Sequence, residues 1–156
     1  TGIDPSFIDA EITESVMIGD QEHADRIFRQ MKKLGISISI DDFGSGYSSL
    51  GRLNKYPFDR IKLDKTLIDN LSSYSLSGTH IVRAAINMAH AAGIQVIAEG
   101  VEHKEQLEVL TELGCDQVQG YLFGRPVPAQ IFEERFIKNH SDFTQFRDFQ
   151  DKGTSY

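Results

Sequence analysis

Two carboxylates stand side by side at Asp41-Asp42, at the end of an alternating apolar run and directly ahead of the glycine-containing stretch Phe43-Gly44-Ser45-Gly46-Tyr47-Ser48-Ser49. Adjacent acids at a strand end attract a hard divalent cation, because carboxylate oxygens are the ligands such ions prefer. The same ending recurs along the chain. Glu11 and Glu14 close the run from Phe7, Lys62 and Asp64 close a short run from Arg60, Glu99 and Glu102 follow Ile94–Ala98, and Gln119 closes the next run. Acidic oxygens with one amide and no His or Cys cluster select Mg²⁺ or Mn²⁺ over Zn²⁺. Asp41 could bridge two ions, with Asp42 and Glu99 completing the second. Two ions about 4 Å apart suit phosphodiester cleavage, since they activate a water and neutralise the phosphate and the leaving oxygen. Lys62 could orient that water, or act as a base were its pKa lowered.

Each of these residues also has a structural reading. Asp41-Asp42 could cap the turn or helix that follows. Glu11 and Glu14 could be ordinary edge or helix-start acids, and Lys62 the ion-pair partner of a neighbouring acid. Glu99 follows the most apolar strand, so a buried acid there needs a partner or a cation. Gly44-Ser45-Gly46 is not a phosphate-cradling loop, because no Gly-Lys-Ser/Thr follows; it reads as a flap beside the site. His80, His90 and His103 lack ligand spacing and read as surface or satisfied core residues.

The elements that must carry these residues alternate. Strands are expected over Phe7–Thr13, Ile36–Ile40, Arg60–Leu63, Ile94–Ala98 and within Asp116–Leu122. Helices are expected over Gln21–Leu34, Tyr47–Tyr56, His80–Ala92 and Lys104–Leu113, with a last one from Pro128 to about Ile137. Gly35, Gly93 and Gly114 stop three of them. Asn70–Gly78 reads as a polar loop. Strand–helix alternation points to parallel strands covered by helices, an α/β architecture. In a (β/α)8 barrel all strand C-termini open on one face, where five strands would gather these acids, the lysine and the amide.

The chain of 156 residues, 40% hydrophobic, suits one globular domain or a large piece of one. The net charge of -7 argues against coating a nucleic-acid polymer. No run approaches the roughly 20 apolar residues of a membrane helix, so no membrane contact is expected from this segment. The lone Cys115 cannot form an internal disulfide, which suggests a reducing compartment and a small structural residue.

The motifs Glu11-Ile12-Thr13-Glu14-Ser15, Asp41-Asp42-Phe43-Gly44-Ser45-Gly46-Tyr47-Ser48-Ser49-Leu50, Ile61-Lys62-Leu63-Asp64, Ala98-Glu99-Gly100-Val101-Glu102, Gln119-Gly120-Tyr121-Leu122-Phe123 and Arg125-Pro126 occur in this order. Together they make the chain resemble the EAL-type cyclic di-GMP phosphodiesterase domain of bacteria, from about Gly2 to Phe136. The resemblance implies a modified (β/α)8 TIM barrel that hydrolyses cyclic di-GMP to linear pGpG with two Mg²⁺ or Mn²⁺ ions. It implies Glu11, Asp41, Asp42 and Glu99 as metal ligands, with Lys62 and Glu99 as the catalytic pair. Gln119 would line the site, Glu102 would support it, and Pro126 would meet a guanine base. Glu14 would anchor the loop Phe43–Ser49, which couples to a homodimer contact.

The family's Glu-x-Leu strand and its asparagine-bearing strand are not among these motifs, nor is an arginine that holds a phosphate. About five βα units are therefore expected here, with the N-terminal strands missing. Residues 1–138 would form the C-terminal two-thirds of an EAL domain and residues 139–156 a polar tail, helical or disordered. Such a piece would be weakly active or inactive alone, with an exposed apolar edge near Phe7–Ile12. Ala10, where the family usually has a larger apolar residue, would loosen packing without touching chemistry. The parent would be cytoplasmic or membrane-anchored elsewhere, with an upstream sensor or GGDEF domain. A degenerate domain that binds cyclic di-GMP or a protein partner without cleavage is the alternative.

Overall fold

The computed structural model describes residues 2–13, 21–44, 53, 55–71 and 76–138. Glu14, Ser45–Ser49, most of the expected helix Tyr47–Tyr56 and the tail 139–156 lie outside the described residues. The described residues fall into two compact units, one within Thr1–Leu122 and one within Phe123–Tyr156.

The first unit is built on one parallel sheet of β1 (Asp9–Thr13), β2 (Ser37–Phe43), β3 (Arg60–Leu63), β4 (Gln95–Glu99) and β5 (Gln117–Gln119). The strands stand side by side in chain order, each parallel to the next. Helices α1 (Gln21–Lys33), α2 (Lys65–Asp69), α3 (Leu76–Ala91) and α4 (Lys104–Glu112) alternate with them. This is the α/β succession that the sequence leads one to expect. The ends differ in detail. Pro5–Phe7 forms a 3-10 turn, with Asp4 capping it, where a strand was expected from Phe7. Helix α3 starts at Leu76, inside the expected polar loop, and α2 falls in a stretch with no expected helix. Asp64 explains α2 locally, because its side chain accepts the Thr66 N–H and caps the helix start.

Apolar and polar residues alternate along β2, β3 and β4, and this decides what the sheet can hold. One face carries Ile38, Ile40, Ile61, Leu63, Val96 and Ala98, all buried against the helices. Each large aliphatic side chain there contributes about 1.5–3 kcal/mol by leaving water. The other face carries Asp9, Glu11, Ser39, Asp41, Arg60, Lys62 and Glu99, on the positions between. The polar residues therefore share a face along the strands and do not merely terminate apolar runs. Helix α1 buries Ala24 and Phe28 and leaves Leu34, expected on the same face, 63% exposed.

At the strand starts two aspartates hold neighbouring strands in register. Asp59 accepts the Ile38 N–H and pairs with Lys32 at 2.7 Å. Asp116 accepts the Val96 N–H and bonds His90 Nε2 at 2.8 Å. The second unit contains α5 (Ala129–Phe132), which runs on as a π-helical stretch, Glu133–Lys138. The Phe132 and Phe136 rings pack at a tilt within it, their centroids 4.9 Å apart.

Candidate active site

The site lies at the C-terminal ends of the strands, on the polar face. Its centre is Lys62 on β3, 6% exposed. The Lys62 Nζ lies 2.6 Å from Glu11 Oε1, 2.8 Å from Glu99 Oε1 and 3.2 Å from Asp41 Oδ1. Four strands thus send one charged group each to a common point: Glu11 from β1, Asp41 from β2, Lys62 from β3 and Glu99 from β4. Burial works to lower the lysine's pKa. Hydrogen bonds to Glu11 and Glu99 and the nearby Asp41 carboxylate, with the added charge of Glu99, outweigh it and hold the ammonium above its ordinary value. A base role for Lys62 would need a lowered pKa, and the pull of these three acids runs the other way.

The Asp41-Asp42 pair owes its place to an irregularity. Ile40 pairs with Ile61 and Phe43 with Leu63, so two residues of β2 stand opposite the one residue Lys62. The extra residue is a bulge, of the kind that re-aims side chains next to active sites. Asp42 is the one described non-glycine residue with positive φ, at 55°. That left-handed conformation is costly for most residues and tolerated by Asp and Asn. Gly44 follows with φ +98°, and an added Cβ there would come within 2.5 Å of Leu67 of α2.

The remaining expected residues divide. Gln119 is the register neighbour of Glu99, so β5 brings it to the same rim. Glu102 points its charge elsewhere, to Lys65 Nζ at 2.8 Å. Phe43 is buried at the end of β2. Pro126 belongs to the second unit, in the stretch ahead of α5. His90 and His103 are satisfied in structural roles, His90 by Asp116 and His103 at the start of α4.

Whether the rim fits a metal is a question of donors. All four expected ligands, Glu11, Asp41, Asp42 and Glu99, are hard carboxylates. Asp41 Oδ1 is buried and makes no well-aligned hydrogen bond, although the ammonium is 3.2 Å away. An underused carboxylate oxygen of that kind has capacity for a cation. Among the described residues, no group of three or more His, Cys, Asp or Glu is arranged to hold an ion unaided. The donor chemistry fits, and further ligands would have to complete the shell.

Sequence reasoning missed a second polar layer. Arg60 Nη1 lies 3.3 Å from Asp9 Oδ2, and Ser39 Oγ donates to the same oxygen at 2.7 Å. Each of the three sits two residues ahead of a rim residue, so the period-two pattern of a strand could have found them. Gln106, buried in α4, was also missed.

A sequence model of the EAL domain matches residues 1–126. The chain is 42% identical over 134 residues to "Cyclic di-GMP phosphodiesterase PdeR" of Escherichia coli, covering 84% of this chain and 20% of that protein. The solved "PaMucR Phosphodiesterase, c-di-GMP complex" superposes with a TM-score of 0.77 at 39% identity, covering 83% of this chain and 52% of that one. The Klebsiella pneumoniae BlrP1 manganese/cy-diGMP complex superposes with a TM-score of 0.72 at 33% identity, over 80% of this chain and 32% of that one. The chain thus spans about half or less of the length of these relatives.

Proposed function

The chain belongs to the EAL domain family, and from that membership we propose that it serves the hydrolysis of cyclic di-GMP to linear pGpG. The observation that carries this reading is the convergence of Glu11, Asp41 and Glu99 on Lys62 at one strand-end rim, with Asp42 on the adjoining bulge. A relative named as a cyclic di-GMP phosphodiesterase and a structural neighbour holding manganese and cyclic di-GMP support the substrate and the divalent ion.

Glu11, Asp41, Asp42 and Glu99 would hold Mg²⁺ or Mn²⁺. Such ions supply a hydroxide-like water and neutralise charge on the phosphate. The chain's own contribution is to place and balance charge. Lys62, kept protonated by these acids, donates hydrogen bonds at the rim and would orient the attacking water. Its positive charge offsets the excess of carboxylates that would otherwise repel an anionic phosphodiester. Gln119, beside Glu99, adds a neutral donor and acceptor.

We further propose that this chain alone turns over weakly or not at all. Among the described residues β1 pairs on one side only, Phe7 beside it is 80% exposed, and the rim lacks a full set of ligands. On family grounds the proposal extends to an upstream sensor or GGDEF domain, a homodimer and a cytoplasmic setting. The test is release of pGpG from cyclic di-GMP with Mg²⁺ or Mn²⁺, comparing this chain with an intact EAL protein carrying the same rim. Asp41→Asn in the intact protein should abolish metal-dependent release. Retained release would show the site to be misplaced, and turnover by the chain equal to the intact protein would refute its weak activity.

A further inference from the structure

Gln106 is 5% exposed, and both ends of its amide are engaged. Oε1 accepts the backbone N–H groups of Glu102 at 2.9 Å and His103 at 3.0 Å. Nε2 donates to the Ile68 carbonyl at 3.2 Å. The first two bonds belong to the start of α4, where a Gln three residues in is an ordinary cap. The third bond is not needed for a cap. It reaches back 38 residues, to the helix that follows Lys62 and Asp64.

One buried amide therefore ties the segment after β4 to the segment after β3. The segment it holds has little freedom. Gly100, directly after Glu99, has φ +71°, and an added Cβ would meet the Lys65 side chain at 2.5 Å. Val101 is fully buried, donates to the Gln119 carbonyl at 3.0 Å and accepts from Leu122 at 3.0 Å. At Gly120 an added Cβ would lie 2.1 Å from the Val101 oxygen. Gly100–His103 is thus pinned by β5 on one side and by Gln106 and α2 on the other. Glu99 stands at the head of this segment with Oε1 2.8 Å from Lys62 Nζ.

We propose that Gln106 is a positioning residue: by holding Gly100–His103 against α2 it sets where Glu99 stands relative to Lys62, and so how tightly the rim binds a divalent cation. The inference rests on reading the rim as a metal site, and the experiment separates the two. Mn²⁺ binding is measured by titration calorimetry on the 156-residue chain and on its Gln106→Leu and Gln106→Glu variants, with urea unfolding of each. Gln106→Glu keeps the acceptor for both N–H groups and loses the donation to Ile68. It also sets a buried carboxylate oxygen against the Ile68 carbonyl, so it should unfold at lower urea than the wild type, and in the folded protein without urea it should bind Mn²⁺ roughly tenfold more weakly, the scale on which support of metal ligands acts. Gln106→Leu should lose both stability and affinity. Wild-type affinity in Gln106→Glu would reduce Gln106 to a helix cap and overturn the inference while leaving the metal site standing. Should Gln106→Leu fail to fold, Gln106→Glu decides alone. No Mn²⁺ uptake by the wild type would refute the metal reading for this chain, and the inference with it.

Discussion

Arg60 reaches over β2 to Asp9, Nη1 to Oδ2 3.3 Å, in the same way that Lys62 two residues later reaches over it to Glu11. Each cation crosses a strand whose own polar residue lies between. Ser39 donates to Asp9 in the first bridge, and Asp41 flanks Lys62 in the second. The polar face is therefore built in layers, with the Lys62 rim resting on a charged layer and not on an apolar one. Both bridges join β1 to β3, which share no backbone hydrogen bonds, so they add a side-chain tie to the strand ladder.

Lys62→Met should cost stability, because it leaves three acids facing one another. Breaking a buried pair costs about 3–5 kcal/mol when the partner stays charged. Here Glu11 is half exposed and solvent screens part of the effect, so about 1–3 kcal/mol is expected. The sign with pH follows from the raised lysine pKa. The ammonium's contribution is complete below the unfolded value of roughly 10.4 and is lost only as pH rises through the higher folded value. The variant's deficit should be full at pH 7 and shrink by pH ~11.5, above the unfolded lysine value. Urea midpoints at the two pH values measure it, and a deficit that does not depend on pH would count against charge as the cause.

At Asp42 the backbone decides the rank of substitutions. Ala must adopt the left-handed conformation at a cost of about 1 kcal/mol, whereas Gly and Asn accept it. Denaturation should therefore place Asp42→Ala below Asp42→Asn and Asp42→Gly in stability. On the proposed metal reading, Asp42→Asn should nonetheless weaken Mn²⁺ binding, since it loses a carboxylate charge. A common stability for all three would mean the bulge relaxes.

Much of this site was legible in the sequence, because parallel strands place their C-terminal residues on one rim and the polar residues there stand out against apolar neighbours. Glu11, Asp41, Lys62 and Glu99 meet for that reason. The bulge was not legible, since nothing in Asp41-Asp42 alone says that both residues face one partner. Nor was the Asp9–Arg60–Ser39 layer, whose members look like unremarkable polar residues until the two-residue period is applied along the whole strand. Helix α2 escaped notice because five residues are too few to show a helical period, although Asp64 signals its cap. The direction of Glu102, toward Lys65, depends on α2 and was hidden with it.

Asp64 offers a test of the cap through acid. Its carboxyl is held below the ordinary value by hydrogen bonds from the Thr66 hydroxyl and the Thr66 N–H. A depressed carboxyl stabilises the fold above its unfolded pKa, near 3.8, and that contribution fades as pH falls through the lower folded value. Asp64→Ala should lose about 1 kcal/mol at pH 7 and progressively less below pH ~3.5. Equal urea midpoints for the two proteins at pH 7 would remove Asp64 from the account of α2.

Cys115 should be slow to alkylate. Burial pushes its thiol up to about 11, aided by the charge of Asp116 and opposed by hydrogen bonding with the backbone at Gln117. Only the thiolate is nucleophilic, so iodoacetamide should react sluggishly at pH 8 and faster toward pH 11. Because the unfolded chain releases this proton first, stability should fall with pH between about 9 and 11, and Cys115→Ala should flatten that fall. Rapid labelling of the native chain at pH 8 would contradict the burial.

Gly100 and Gly120 flank the segment behind Glu99 and should respond differently to alanine. At Gly100 the obstacle is the Lys65 side chain, which can swing away, so the main cost is the left-handed φ of +71°, about 1 kcal/mol. At Gly120 the obstacle is the Val101 backbone, whose nitrogen and oxygen would lie 2.3 and 2.1 Å from the new Cβ. Backbone atoms held by hydrogen bonds to Gln119 and Leu122 cannot yield without opening those bonds. Overpacking of that kind costs about 1–3 kcal/mol or more. It also forces β5 away from β4, which parts Gln119 from Glu99. Gly120→Ala should therefore unfold at lower urea than Gly100→Ala and lose more Mn²⁺ affinity. The reverse order in both measurements would show that the segment is held from the Lys65 side alone.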